Sequence, residues 1–126
     1  MVHDKSESLP QPYAFKIQSK FQLLEEGQAD ACIREKEALS AMFHPNVIKL
    51  YATFQDQDFV YMLLQLLQGG ELFNLIHPID ADISVNGLPE EKARFYSFCI
   101  ADALAHVHSK RFVYRDMKPE KYVVYK

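Results

Sequence analysis

Two cysteines, Cys32 and Cys99, are too few and too far apart in a chain of 126 residues for a disulfide scaffold or a Cys-x-x-Cys metal site. They read as reduced, packed thiols, and an intracellular, cytoplasmic protein is expected. Charge of one sign is also scarce: the net charge is −3 and no basic or acidic block occurs, so nothing points to nucleic acid as a partner. No apolar run approaches the roughly 20 residues of a membrane span. The opening Met1-Val2-His3-Asp4-Lys5 leads into polar residues with no apolar leader core, so neither secretion nor membrane anchoring is expected. His3, His44, His77, His106 and His108 share no ligand spacing with the cysteines, and no metal site is assigned to them.

What is present is a globular composition, 48% hydrophobic and 25% charged, sufficient for one modest domain. Residues 1–12, with Ser6, Ser8, Pro10 and Pro12, suggest a flexible lead-in, and residues 13–126 the folded part. Tyr13-Ala14-Phe15-Lys16-Ile17 is a short apolar run with one lysine inside it, as in a strand that sets Lys16 against something worth neutralising. From about Glu25 to Phe43, Cys32, Leu39 and Met42 recur three to four positions apart on one helical face. Glu35 falls in the same stripe, and a carboxylate on a buried face needs a cation. His44-Pro45-Asn46 stops this helix, because proline disfavours helical geometry before it.

Ile48, Leu50, Ala52 and Phe54 then alternate with polar or larger neighbours, and Gln55-Asp56-Gln57-Asp58 separates this run from Phe59–Leu64. The pattern predicts an antiparallel hairpin. Gly69-Gly70 breaks it before a short helix at Glu71–Ile76, and His77 to Pro89 reads as a surface loop. Glu90 to Ser109 carries Tyr96, Cys99, Ile100, Ala103, Leu104 and Val107 on a helical stripe, with two acidic residues in its first turn. Phe95, Tyr96, Phe98 and Cys99 are expected to belong to the core. A loop and a short strand, Tyr122–Tyr125, complete the pattern.

The loop is Val113-Tyr114-Arg115-Asp116-Met117-Lys118-Pro119-Glu120-Lys121. It resembles the catalytic loop of protein kinases. Tyr13–Lys16 resembles that family's lysine-bearing strand, and Arg34-Glu35-Lys36 the centre of its helix C, with Lys16 and Glu35 nineteen residues apart. His44–Tyr51, Leu67–Phe73 and Ala93–Tyr96 resemble, in the family's order, the strand after helix C, the hinge with its following helix, and the start of the long helix. Tyr114 in place of histidine is similar to the AGC group of serine/threonine kinases, the cyclic-nucleotide-dependent members above all.

The resemblance implies an α+β, protein-kinase-like fold in partial form. Residues 13–67 would hold small-lobe strands, helix C and the hinge, and residues 68–126 the start of the large lobe through the catalytic loop. It implies ATP and Mg2+ as cofactors and a protein bearing serine or threonine as substrate. Lys16 would hold the α- and β-phosphates and pair with Glu35, while Ala14, Leu64, Leu67 and Val123 would enclose the adenine. Gln65 and Leu67 would offer hinge backbone groups, Glu71 would meet the ribose or a basic substrate residue, and Glu120 belongs to the same nucleotide-binding set. Asp116 would be the catalytic base and Lys118 would stabilise charge on the transferring phosphoryl group. Leu39, Leu50 and Tyr114 match three spine positions.

Three departures stand against that pattern. No glycine-rich phosphate loop precedes Lys16, the sequence stops before any Asp-Phe-Gly motif, and Lys121 occupies the position of the metal-ligating asparagine. An ammonium group has three donors and no acceptor, so Lys121 cannot ligate magnesium. The expectation is a kinase portion that is inactive by itself. The alternative is a non-catalytic remnant that binds a partner protein through apolar surface.

Overall fold

The computed structural model describes residues 2–3, 12–78 and 87–124. Two units divide the chain, Met1–Leu66 and Leu67–Lys126.

In the first unit, strands β1 (Val2–His3), β2 (Pro12–Ser19), β3 (Leu50–Gln55) and β4 (Phe59–Gln65) form one antiparallel sheet in the order β1-β2-β4-β3. Proline opens β2, a position where the missing N–H costs the ladder least. The expected lead-in thus begins with two residues that pair with Tyr13 and Pro12, while 4–11 lie outside the described residues. The expected hairpin is present as β3 and β4, with one correction to its phase. A bulge between Leu50 and Ala52 breaks the alternation, so Leu50 pairs with Leu64 whereas Ala52 and Phe54 pair with Leu63 and Tyr61 on the opposite face. A single extra residue in a period-two strand flips every side chain beyond it.

The expected helix from Glu25 is two helices, α1 (Lys20–Glu25) and α2 (Ala29–Ala41). Ser19 caps α1 by accepting from Gln22 N at 3.5 Å. Gly27 ends it in the left-handed region, φ 63°, where glycine avoids the Cβ penalty. Tyr13 and Met62, 5% and 3% exposed, anchor the sheet; burying side chains of this size contributes about 1.5–3 kcal/mol each.

In the second unit, α3 (Leu72–Ile76) and α4 (Glu90–Ser109) fall where the sequence pattern puts them. Glu90 and Arg94 pair at 2.6 Å across one turn of α4. The stripe Tyr96, Cys99, Ile100, Ala103, Leu104 and Val107 is half-buried, and its Tyr96 and Ile100, with Leu72, Met117 and Tyr122, border a cavity of about 420 Å³. Phe95 and Phe98 are not core: they are 61% and 68% exposed, because the 3.6-residue period turns them away from that stripe.

After α4, Lys110 and Arg111 close a C-terminal motif in which Arg111 N bonds His108 O at 2.9 Å and Phe112 N bonds Val107 O at 3.2 Å. The expected strand Tyr122–Tyr125 reduces to one bridge, Val123 with Glu71, and Tyr125 lies outside the described residues. Its partner is short. Only Gly70 to Leu72 runs alongside before α3 begins, with Leu72 N donating to Tyr122 O and Val124 N to Gly70 O, both at 2.8 Å. Of the surface loop, residues 79–86 lie outside the described residues. Among the described residues no helix is long and apolar enough to cross a membrane.

Candidate active site

Lys16 and Glu35 are brought together in the first unit. Pairing of Lys16 with Met62 fixes its face of β2, and Gln18, two residues along on the same face, accepts a bond from the Cys32 thiol at 3.6 Å. Cys32 and Glu35 sit about one turn apart on α2, so strand and helix are joined by two side-chain links in register. Lys16 Nζ lies 2.7 Å from both Glu35 carboxylate oxygens. Both side chains remain over one-third exposed, 37% and 39%, so the pair contributes only about 0–1 kcal/mol to stability. Its consequence is position: the ammonium is held at a fixed place on the sheet.

Ala14 and Leu64 are direct cross-strand partners on that same face of the sheet. Gln65 donates its N–H to Lys49 O at 2.9 Å, which engages that backbone donor within the sheet.

The second unit holds Leu67, Glu71, Asp116, Lys118, Glu120, Lys121 and Val123. Glu71 is the residue before α3, exposed, with its backbone bridged to Val123. Gly69 permits this ribbon, since a Cβ there would stand 2.0 Å from Val124 O; Gly70, φ 79°, makes the adjoining turn. Asp116 leaves a γ-turn, its N–H donating to Tyr114 O at 2.9 Å around Arg115, φ 61°. Left-handed backbone at a non-glycine residue costs about 1–2 kcal/mol and is kept where surrounding structure imposes it. The sequence pattern did not reveal Arg115's conformation, and no glycine or asparagine marks it.

Pro119–Lys121 forms a 3-10 turn with Lys118 at its start, closed by Lys121 N to Lys118 O at 2.9 Å. The turn brings Lys121 back beside Lys118, and both ammonium groups face one carboxylate: Lys118 Nζ is 3.8 Å from Asp116 Oδ1 and Lys121 Nζ 3.6 Å from Asp116 Oδ2. Glu120, between them, is exposed.

Comparison with known proteins decides the family. The family described as Protein kinase domain matches residues 3–125. The chain belongs to the protein kinase domain family. It is 38% identical over 120 residues to 3-phosphoinositide-dependent protein kinase 1 of Arabidopsis thaliana, covering 95% of this chain and 23% of that one. It is 35% identical over 108 residues to cAMP-dependent protein kinase type 3 of Saccharomyces cerevisiae, covering 86% and 26%. These relatives are kinases of the AGC type that the loop and the long helix suggest. The chain spans about a quarter of the length of these curated relatives. A crystal structure of Rad53 1-466 in complex with AMP-PNP resembles it with a TM-score of 0.79 at 28% identity, over 90% of this chain and 28% of that one. The strands, α2 and the hinge are thus the partial small lobe of a kinase fold, and α3, α4 and the loop the start of its large lobe.

Kinase loops of this type ordinarily hold magnesium, and the residues present here do not fit one. Lys121 offers no lone pair. The Asp116 carboxylate already faces two ammonium groups. Among the described residues no group of three histidine, cysteine, aspartate or glutamate side chains converges to hold a metal ion.

Proposed function

We propose that this chain is part of an ATP-dependent serine/threonine protein kinase. The observation that carries the reading is the Lys16 ammonium held 2.7 Å from both oxygens of Glu35, on a sheet face that also presents Ala14 and Leu64. A cation fixed beside an apolar strand surface suits an adenine nucleotide, whose base is flat and apolar and whose phosphates are anionic.

In this reading Lys16 binds the α- and β-phosphates. A substrate serine or threonine hydroxyl attacks the γ-phosphorus, the bond to the β–γ bridging oxygen breaks, and ADP leaves. Asp116 takes the hydroxyl proton, and Lys118 offsets charge on the transferring phosphoryl group. Leu67 and the Gln65 carbonyl meet the base, Val123 adds apolar surface, and Glu71 contacts the ribose or a basic substrate residue.

A second reading has one observation in its favour. Lys121 pairs with Asp116 where the family uses a metal ligand, which suits a nucleotide- or protein-binding module that does not transfer phosphate.

Thermal unfolding with ATP tests the first step, because a ligand that binds only the native state raises its stability. The kinase reading expects millimolar ATP to raise the midpoint and Lys16→Met to remove the rise. Absence of any ATP-dependent shift sinks it. ATP binding without phosphate transfer to a serine peptide selects the binding-module reading.

A further inference from the structure

Resting on the ATP-binding reading, we propose that Lys121 is a resident counter-cation, so that this loop receives the nucleotide's polyphosphate directly on the Lys118 and Lys121 ammonium groups and needs no divalent cation at Asp116. Three observations carry it.

The first is placement. Lys118 precedes the 3-10 turn and Lys121 ends it, and the two ammonium groups straddle the Asp116 carboxylate at 3.8 Å and 3.6 Å. The second is charge. Two ammonium groups against one carboxylate leave the cluster with one net positive charge, whereas an uncharged amide at position 121 would leave it neutral. A positive cluster attracts phosphate and repels a dication brought to the same carboxylate. The third is unused capacity. Lys118 and Lys121 side chains are 50% and 47% exposed, and each ammonium has three donors of which the carboxylate can engage only some. The remaining donors are free to take phosphate oxygens as charge-assisted hydrogen bonds.

A divalent cation assists polyphosphate binding by neutralising oxygen charge and bridging it to protein carboxylates. In this loop a covalently attached ammonium supplies the neutralisation, and the bridge is replaced by direct contact. Magnesium in solution then becomes a competitor for the phosphates rather than a requirement.

Calorimetric titration with ATP, in excess EDTA and again in magnesium, is the experiment, performed on the full chain and on Lys121→Asn and Lys121→Arg. Position 121 is exposed, so both variants should fold, and circular dichroism melting verifies it. The expected result is a dissociation constant for the unaltered chain in EDTA equal to or tighter than that in magnesium. Lys121→Asn should bind about tenfold more weakly in EDTA and recover in magnesium, as the loss of one charged hydrogen-bond donor predicts. Lys121→Arg should keep the EDTA affinity.

Magnesium-dependent binding by the unaltered chain overturns the counter-cation proposal while leaving the ATP-binding reading intact, as does an EDTA affinity untouched by Lys121→Asn. Absence of ATP binding in both buffers overturns the two together.

Discussion

Lys16 Nζ sits 2.7 Å from both carboxylate oxygens of Glu35, linking the middle of β2 to the middle of α2. Because both side chains are partly exposed, the pair is weak as a source of stability and useful as a positioning device. Glu35→Gln keeps the shape and removes the charge. It should lower global stability by no more than about 1 kcal/mol, yet reduce the ATP-induced rise in unfolding midpoint well below that of the unaltered chain. Parallel melts with and without ATP check this, and a variant with an undiminished ATP response would show that Glu35 does not position Lys16.

A polar hub in the β3–β4 turn, which the sequence pattern treats only as a separator, should make the first unit acid-sensitive. Asp56 accepts from Asp58 N and Phe59 N at 2.9 Å and 2.7 Å and from Tyr61 Oη at 2.6 Å. These bonds, the Tyr61 hydroxyl first, hold the Asp56 carboxyl below its ordinary pKa. A folded-state pKa below the unfolded one means stability that is present above the usual carboxylate range and is lost as pH falls through the folded value. Asp56→Asn should therefore melt lower than the unaltered chain at neutral pH, and the gap should close in acid. A gap independent of pH would assign the role to turn geometry alone.

Lys16 and Glu35 stand out in the sequence, whereas Asp56 does not. Lys16 and Glu35 could be read because each interrupts an apolar period: a lysine inside a strand run and a glutamate inside a helix stripe both demand a partner. The long helix α4 was legible for a similar reason, since twenty residues of regular spacing overwhelm local noise. Glycine 27 was the missed signal within the first helical stretch, where the left-handed turn separates α1 from α2. The bulge near Tyr51 could not be read, because a strand's phase depends on what its neighbour presents. Phe95 and Phe98 misled for the opposite reason: size suggests burial, while the helix period sends them outward. Lys121 was legible as a residue unable to ligate a metal, but its approach to Asp116 depends on the turn Pro119–Lys121, which the sequence pattern did not show.

Gly69 sets a steric limit on the ribbon that ties α3 to the loop. A Cβ added there meets Val124 O at 2.0 Å and Val124 C at 2.6 Å, both backbone atoms that cannot rotate away. Gly69→Ala must push the two segments apart, which threatens the bonds Val124 N to Gly70 O and Leu72 N to Tyr122 O. A loss of about 2 kcal/mol is expected, at the scale of two weakened hydrogen bonds. Urea unfolding measures it, and a variant as stable as the unaltered chain would mean that the ribbon separates without cost. Gly70→Ala makes a useful contrast: nothing lies within 4 Å of its added Cβ, and only its φ of 79° resists the change.

Tyr122 is where stability should be gained by removing an atom. Its hydroxyl is buried with no hydrogen-bond partner among the described residues, while the ring lines the cavity beside Leu72 and Tyr96. An unsatisfied buried hydroxyl gives up its water without compensation, at a cost of about 1–3 kcal/mol. Tyr122→Phe keeps the ring and should raise stability by about 1 kcal/mol. The pH dependence provides an independent sign. Burial first, and then the nearby Tyr114, raise the Tyr122 pKa, so folding favours the protonated phenol and its stabilising share is lost as pH climbs through the folded value. The phenylalanine variant lacks that titration, and its advantage over the unaltered chain should widen in alkali. Urea midpoints at neutral and alkaline pH test both statements. A variant that is less stable at neutral pH would show that the hydroxyl has a partner in solution and contributes to the fold.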